Sequence, residues 1–461
     1  MKKQGVLEEA GALLERAVIR YRGRAVGTSA VLPGGDVAAE NYRDCFVRDF
    51  VPVALVFLLR GESEIVRGFL ETLVVLQKER HAAAGHRRVP GLMPASFRVA
   101  TEEDGRESLH ADFGDKAIGR VTPVDSMLWW LILLDLYQRL SGDTALARTA
   151  DFQQAICRIL DMGLSEALED MPTLLVPDGA FMIDRRLGVY GHPLEIQVLL
   201  HGALEAARRV LAPGDLHQHL KAAALARERS LCAYLRMYYW LDLERLNEIL
   251  RFGTEEFGGN VANLFNIYPE AIPDWLLDWL PERAGYLVGN LGPGRMDFRF
   301  FAQGNLLAVL FGVARDDQAA ALFRLYESRW HDLVGAMPAK LVYPALTGEA
   351  WQLLTGCDPK NVPWSYHNGG NWPVLLYSFV AAALSTGRAD LAERAFEATV
   401  ARLGREGWPE YYDGRGGRLI GRRANLNQIW SAASLLLAAR FLDQPAFSRI
   451  FAAEFCSETT P

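Results

Sequence analysis

Apolar residues recur at three- and four-residue intervals along nearly the whole chain, in spans near 6–21, 46–77, 123–140, 144–163, 193–211, 215–240, 302–313, 315–330, 371–386, 389–403 and 427–441. That period gives each span one apolar side and predicts amphipathic helices. No convincing alternating series predicts strands to compete with them. The spans come in pairs joined by short turns, such as "SGD" at Ser141 and "STGRAD" at Ser385, the pattern of stacked helical hairpins. An all-α fold is expected, either an open solenoid or a closed (α/α) barrel.

Between the hairpins run long segments near 79–122, 164–192, 244–300, 336–370 and 404–426, rich in Gly, Pro, Asp, Arg and aromatic residues. Long ordered loops in a compact domain are more often functional than not. Gathered at one end of a helical toroid they would line a pocket, which favours the barrel. No stretch has the composition of a disordered linker, so residues 1–461 are read as one domain.

Composition narrows the chemistry. With 50% hydrophobic and 23% charged residues the chain is an ordinary globular protein. Its 49 basic and 56 acidic residues are interspersed, giving a net charge of −7 and no electrostatic footprint for nucleic acid or an anionic membrane. Cys45, Cys157, Cys232, Cys357 and Cys456 are odd in number and far apart, which predicts neither a disulfide framework nor a zinc cage and fits a reducing cytoplasm. The first residues form an amphipathic, charged helix rather than a signal peptide. The longest apolar run, Trp372 to Leu384, falls short of the roughly 18 residues of a membrane span, so a soluble protein is expected. A homo-oligomer stays open, because an exposed apolar helix face and a buried one look alike in sequence.

Candidate chemistry lies in the loops. In "VPDGAFMIDRR", Val176 to Arg186, Asp184 abuts two arginines; read alone this is a salt bridge, since a nearby cation favours the ionised carboxylate. In "WPEYYDGRGG", Glu410 is flanked by Trp, Pro and Tyr, surroundings that desolvate a carboxyl group and make it a candidate acid or base. Together the two carboxyls are the pair that glycoside hydrolysis needs, one protonating the leaving oxygen and one activating water. In "TPVDSMLWW", Thr122 reads as an N-cap, Pro123 as the first helical residue and Asp125 as the third, with a carboxylate returning to the cap. The same Asp125 could receive ligand hydroxyls. "FVRDF" reads as a local Arg48–Asp49 ion pair, or as a fork of donors and acceptors for a polyhydroxylated ring. "WSYHNGGNWP" concentrates donors, acceptors and aromatics around a Gly pair, which suits binding better than a core.

Other chemistries score poorly. There is no H-E-x-x-H, G-x-S-x-G or Walker-type loop, and "GNLGPGRMDF" does not follow a convincing strand. His217 and His219 are spaced so that they do not share a helical face. Neither a metal nor a bound nucleotide is expected.

Taken together and in order, "FVRDFVPVAL", "DFGDKAIGRVTPVDSMLWW", "LLVPDGAFMIDRRLGVYGHPLEIQ", "FNIYPEAIPDWLLDWLPERAGYLVGNLGPGRMDFRF", "NVPWSYHNGGNWPVLL" and "WPEYYDGRGGRLIG" resemble the neutral/alkaline invertases, glycoside hydrolase family 100. The resemblance implies an (α/α)6 barrel that hydrolyses sucrose with inversion and needs neither metal nor cofactor. It implies Asp184 as general acid and Glu410 as general base, with Arg48, Asp49, Asp125, Trp129 and His367 around the sugar. Tyr42, Asp44 and Gln428, which lie beside the matched stretches, join them as substrate-binding candidates. Two positions depart from the family pattern: Asp44 stands where Gln is usual, and Asn425 where Arg is usual. Such swaps can alter the accepted leaving group. Another small α-glucoside is therefore the alternative substrate, and a noncatalytic sugar-binding protein the alternative from a different class.

Overall fold

The computed structural model describes residues 3–32, 40–83, 91–114, 121–165, 171–176, 179–183, 187–254, 263, 265–292 and 295–452. Two kinds of helix alternate along it. One kind is buried nearly all round: Val47–Leu59, Ser126–Ser141, Leu194–Val210, Ala302–Leu310, Leu376–Ser385 and Ile429–Asp443. The other buries one face, as Ala150–Gly163 does with Phe152, Ala155, Ile156, Ile159 and Leu160. A helix apolar on every side must be enclosed, whereas one with a single stripe lies at the surface.

The enclosed helices pack in a circuit. Val47–Leu59 lies against Ser126–Ser141, which lies against Leu194–Val210, then Ala302–Leu310, Leu376–Ser385 and Ile429–Asp443, and the last returns to Val47–Leu59. Single-faced helices back them: Asp215–Tyr238 covers Leu194–Val210, and Ala389–Val400 covers Leu376–Ser385 and Ile429–Asp443. An α/α arrangement follows from the hairpin pattern seen in the sequence.

The structure departs from the expected elements in several places. The span near 6–21 is helical only to Arg16, and Val18–Tyr21 is a strand paired antiparallel with Arg24–Thr28. The span near 144–163 becomes helical only at Ala150. The span 46–77 is two helices, Val47–Leu59 and Ser63–Ala83. Gly61 adopts φ 80°, and the Glu62 N–H returns to the Phe57 carbonyl at 2.9 Å, a left-handed stop that apolar periodicity does not reveal. Thr122 is not an N-cap: Thr122–Pro123 pairs in parallel with Gly179–Ala180, and the helix begins at Ser126 with Asp125 at its N-cap position. Strands also occur. Tyr286–Gly292 and Arg295–Phe301 pair antiparallel, and "GNLGPGRMDF" spans their junction. Both strands are mostly buried on both faces, so their side chains do not alternate between apolar and polar. A further hairpin, Ser96–Thr101 with Glu107–Asp112, pairs with Cys45–Phe46 just ahead of Val47–Leu59.

Candidate active site

The polar residues of interest cluster at the starts of the enclosed helices. Arg48 and Asp49 occupy the first turn of Val47–Leu59, Asp125 precedes Ser126–Ser141 with Trp129 one turn in, Glu195 and Gln303 are second residues of their helices, and Gln428 is the N-cap of Ile429–Asp443. Helix starts leave backbone N–H groups unpaired and carry partial positive charge, which suits buried carboxylates and oxygen-rich ligands.

Arg48 does not pair with its neighbour Asp49. Its Nε donates to Oδ2 of Asp125 at 2.5 Å, bridging two adjacent helices of the circuit. Asp49 instead accepts from Nε2 of Gln428 at 3.4 Å. Burial pushes the Asp49 carboxyl up to about 7; the Arg48 cation opposes this, and the Glu410 and Asp125 charges add to the rise. The local ion pair read in "FVRDF" is thus replaced by contacts between helices.

Glu410 is 2% exposed and held by donors on both oxygens. The Tyr42 hydroxyl donates to Oε1 at 2.9 Å, and Asn425 donates to Oε2 through Nδ2 at 3.1 Å and through its backbone N–H at 3.3 Å. Lys360 Nζ lies 3.8 Å from the same Oε2. Burial first, then the charge of Glu410, drives the Tyr42 phenol well above its usual pKa, so it remains a donor. The Asn425 departure therefore falls on Glu410 itself.

Two loops are fastened together beside that carboxylate. His367 is buried and stacks on Tyr366 with ring centres 4.0 Å apart, and Trp372 stacks on Tyr411 at 5.4 Å. The backbones of Asn371 and Tyr412 exchange hydrogen bonds of 2.9 and 2.7 Å. Buried Lys340 donates to Asn371 Oδ1 at 3.2 Å and to the Gly414 carbonyl, and burial lowers its pKa to about 8. Asp44 lies just after Tyr42, and its backbone carbonyl accepts from the Ala30 N–H at 3.1 Å.

Asp184, Arg185 and Arg186 lie outside the described residues, so their geometry with Glu410 is not stated. The residues before them are placed. The Met182 N–H donates to Oε1 of Glu195 at 3.1 Å. Glu195 is a site residue that sequence reading missed. It is 1% exposed, and burial pushes it up to about 8, with Arg48 opposing and Asp125 adding. Its one signal is an acidic residue two positions after Pro193, in the first turn of the helix.

Several buried polar atoms here have no protein partner among the described residues: Asp125 Oδ1, Trp129 Nε1, Glu195 Oε2, Gln303 Oε1 and Gln428 Oε1. Buried polar atoms are normally paired, and a group of unpaired ones on neighbouring helix starts is what a polyhydroxylated ligand satisfies. No group of three or more His, Cys, Asp or Glu side chains suited to a metal ion occurs among the described residues. No described helix is long and apolar enough to cross a membrane.

Comparison with known proteins points the same way. A wild-type glycosidase superposes with a TM-score of 0.58 at 15% identity, covering 96% of this chain and 97% of that one. A bacterial glucoamylase complexed with acarbose superposes with a TM-score of 0.55 at 12% identity, over 97% of this chain and 58% of that one. At such identities the likeness concerns the fold. Sequence relatives are nearer. Neutral/alkaline invertase 1, mitochondrial, from Oryza sativa subsp. japonica is 48% identical over 97% of this chain and 72% of its own length. Alkaline/neutral invertase C, mitochondrial, from Arabidopsis thaliana is 47% identical over 95% and 67%. Cytosolic invertase 1 from Oryza sativa subsp. japonica is 46% identical over 96% and 79%. The profile of the alkaline and neutral invertases, glycoside hydrolase family 100, matches residues 10–445, and the chain belongs to that family.

Proposed function

We propose that this protein hydrolyses sucrose to glucose and fructose by an inverting, two-carboxylate mechanism on an (α/α)6 barrel. The circuit of six enclosed helices backed by single-faced ones supports the barrel. The observation that carries the mechanism is Glu410: a carboxylate 2% exposed, steadied by Tyr42 and Asn425, and electrostatically coupled to Asp49.

In this reading the glucosyl ring lies among the helix starts, where Arg48, Asp49, Asp125, Trp129, His367 and Gln428 meet its hydroxyls. Asp184 protonates the glycosidic oxygen as the bond to the glucosyl anomeric carbon breaks. Glu410 takes a proton from a water attacking the opposite face of that carbon, which releases β-glucose and fructose. Asp49, held near neutrality by burial, can donate as well as accept a hydrogen bond to a sugar hydroxyl around pH 7.

Another small α-glucoside is the second reading, favoured by one observation: Asn425, a departure from the family pattern, touches the proposed base directly. The cytoplasm is the proposed location, by likeness to the cytosolic relative, although other relatives are named as mitochondrial. The test is NMR of the anomeric protons during the earliest turnover of sucrose by the purified protein. β-Glucose appearing before mutarotation is expected, and α-glucose as first product would overturn the inverting assignment. Glu410→Gln and Asp184→Asn should each lower kcat by roughly 100-fold or more, as loss of a general acid or base does.

A further inference from the structure

A lysine that belongs to none of the sugar-binding motifs stands beside the proposed base. Asp358 Oδ1 accepts from the backbone N–H groups of Lys360 and Asn361 at 2.8 and 3.3 Å, a side-chain turn that fixes where Lys360 leaves the loop. Lys360 Nζ then lies 3.8 Å from Oε2 of Glu410, 3.8 Å from the centre of the Tyr366 ring and 5.9 Å from that of Tyr42. The lysine side chain is 22% exposed and that of Glu410 3%. At 3.8 Å the ammonium is too far to be a hydrogen-bond donor and acts on the carboxylate through its charge. The electron-rich face of Tyr366 holds it there.

The need for such a charge follows from what else faces Glu410. Tyr42 and Asn425 are neutral donors, Tyr411 is an adjacent phenol, and Asp49 is a second buried carboxyl coupled to the same group. Two buried carboxyls in one site oppose each other's ionisation. Among the described residues Lys360 is the one cation within 4.0 Å of Glu410.

We propose that Lys360 is a positioning residue for the hydrolytic reaction: leaning on Tyr366, its ammonium favours the anionic form of Glu410, the form that accepts a proton from water. This role rests on the reading of Glu410 as base. It predicts that Lys360 sets the acidic limb of the pH profile without touching sugar.

The experiment is kcat/KM for sucrose against pH for the native protein, Lys360→Met, Lys360→Arg and Glu410→Gln, with circular dichroism and Tm to establish folding. A unit charge at this distance, partly screened, is worth about one pH unit. The acidic limb of Lys360→Met should therefore move up by about one unit, with the plateau at higher pH much less affected. Lys360→Arg keeps the charge and should keep the limb within a few tenths of a unit. A Lys360→Met protein that loses activity by the same factor at every pH, or whose limb stays in place, overturns the proposal. Should Lys360→Met fail to fold, Lys360→Gln provides the same comparison. Glu410→Gln separates the two claims: if it turns over sucrose like the native protein, the base reading fails, and if it is inactive while the limb of Lys360→Met is unmoved, only the Lys360 role fails.

Discussion

Tyr42 and Glu410, 368 residues apart in the chain, meet in a 2.9 Å hydrogen bond from the phenolic hydroxyl to Oε1. Burial and the neighbouring carboxylate both disfavour the phenolate, so the bond keeps its direction over the whole working pH range. Tyr42→Phe removes the donor and keeps the ring. A hydrogen bond to a charged group is worth about 1.5–3 kcal/mol, so kcat should fall roughly 10- to 100-fold if the bond matters most when the base is at work. Steady-state kinetics with sucrose checks this: a change in KM alone would assign Tyr42 to substrate binding.

Asn425 holds the other oxygen of Glu410 through its side chain and its backbone N–H. Asn425→Ala leaves the backbone bond and removes the side-chain one. The expected result is a fall in kcat of about 5- to 30-fold with fructose still the released partner, consistent with about 1–2 kcal/mol. If instead kcat for sucrose holds while the relative rates of different α-glucosides change, Asn425 selects the leaving group.

Asp49 and Glu195 make stability depend on pH in a calculable direction. Both carboxyls are raised in the folded protein, to about 7 and about 8, above ordinary carboxyl values. Between roughly pH 4 and 8 the folded state thus binds more protons at these sites than the unfolded state, and their contribution to stability falls as pH rises. Glu195→Gln keeps an oxygen for the Met182 N–H and cannot ionise. It should flatten the decline of Tm between pH 5.5 and 8 measured by calorimetry. An unchanged slope would remove Glu195 as a source of that dependence.

Gly421 lies directly under Tyr411. A Cβ there would sit 2.2 Å from Cε2 of the Tyr411 ring, which is itself stacked on Trp372 and fully buried. Gly421→Ala forces the ring to move within a packed wall next to Glu410. Overpacking of this kind costs about 1–3 kcal/mol, so Tm should fall by several degrees and activity should fall with it. Native Tm and native kcat together would show that the ring has room to yield.

Helices were the most legible part of the fold because their signal is local: residues three and four apart record which side faces the core. The span near 123–140 shows the reach of that signal, since Met127 through Tyr137 are all buried, and also its limit. Thr122–Pro123 was drawn into an extended bridge by Gly179–Ala180, so the helix start moved to Ser126. The strand pair Tyr286–Gly292 and Arg295–Phe301 was illegible for the opposite reason, because burial on both faces erases the alternation that marks a strand.

By itself the sequence determined the α/α class, the family and the segments that carry Asp49, Asp125, His367 and Glu410, since each depends on residue types close together in the chain. Only the tertiary structure decided what each group faces. Arg48 turned from Asp49 to Asp125, Glu410 drew Tyr42 from the far end of the chain, Glu195 emerged beside them, and Lys360 came to rest over Tyr366. The physical reason is distance: charge and hydrogen bonding act over a few ångströms of space, and the helix circuit brings together groups that no local pattern in the chain relates.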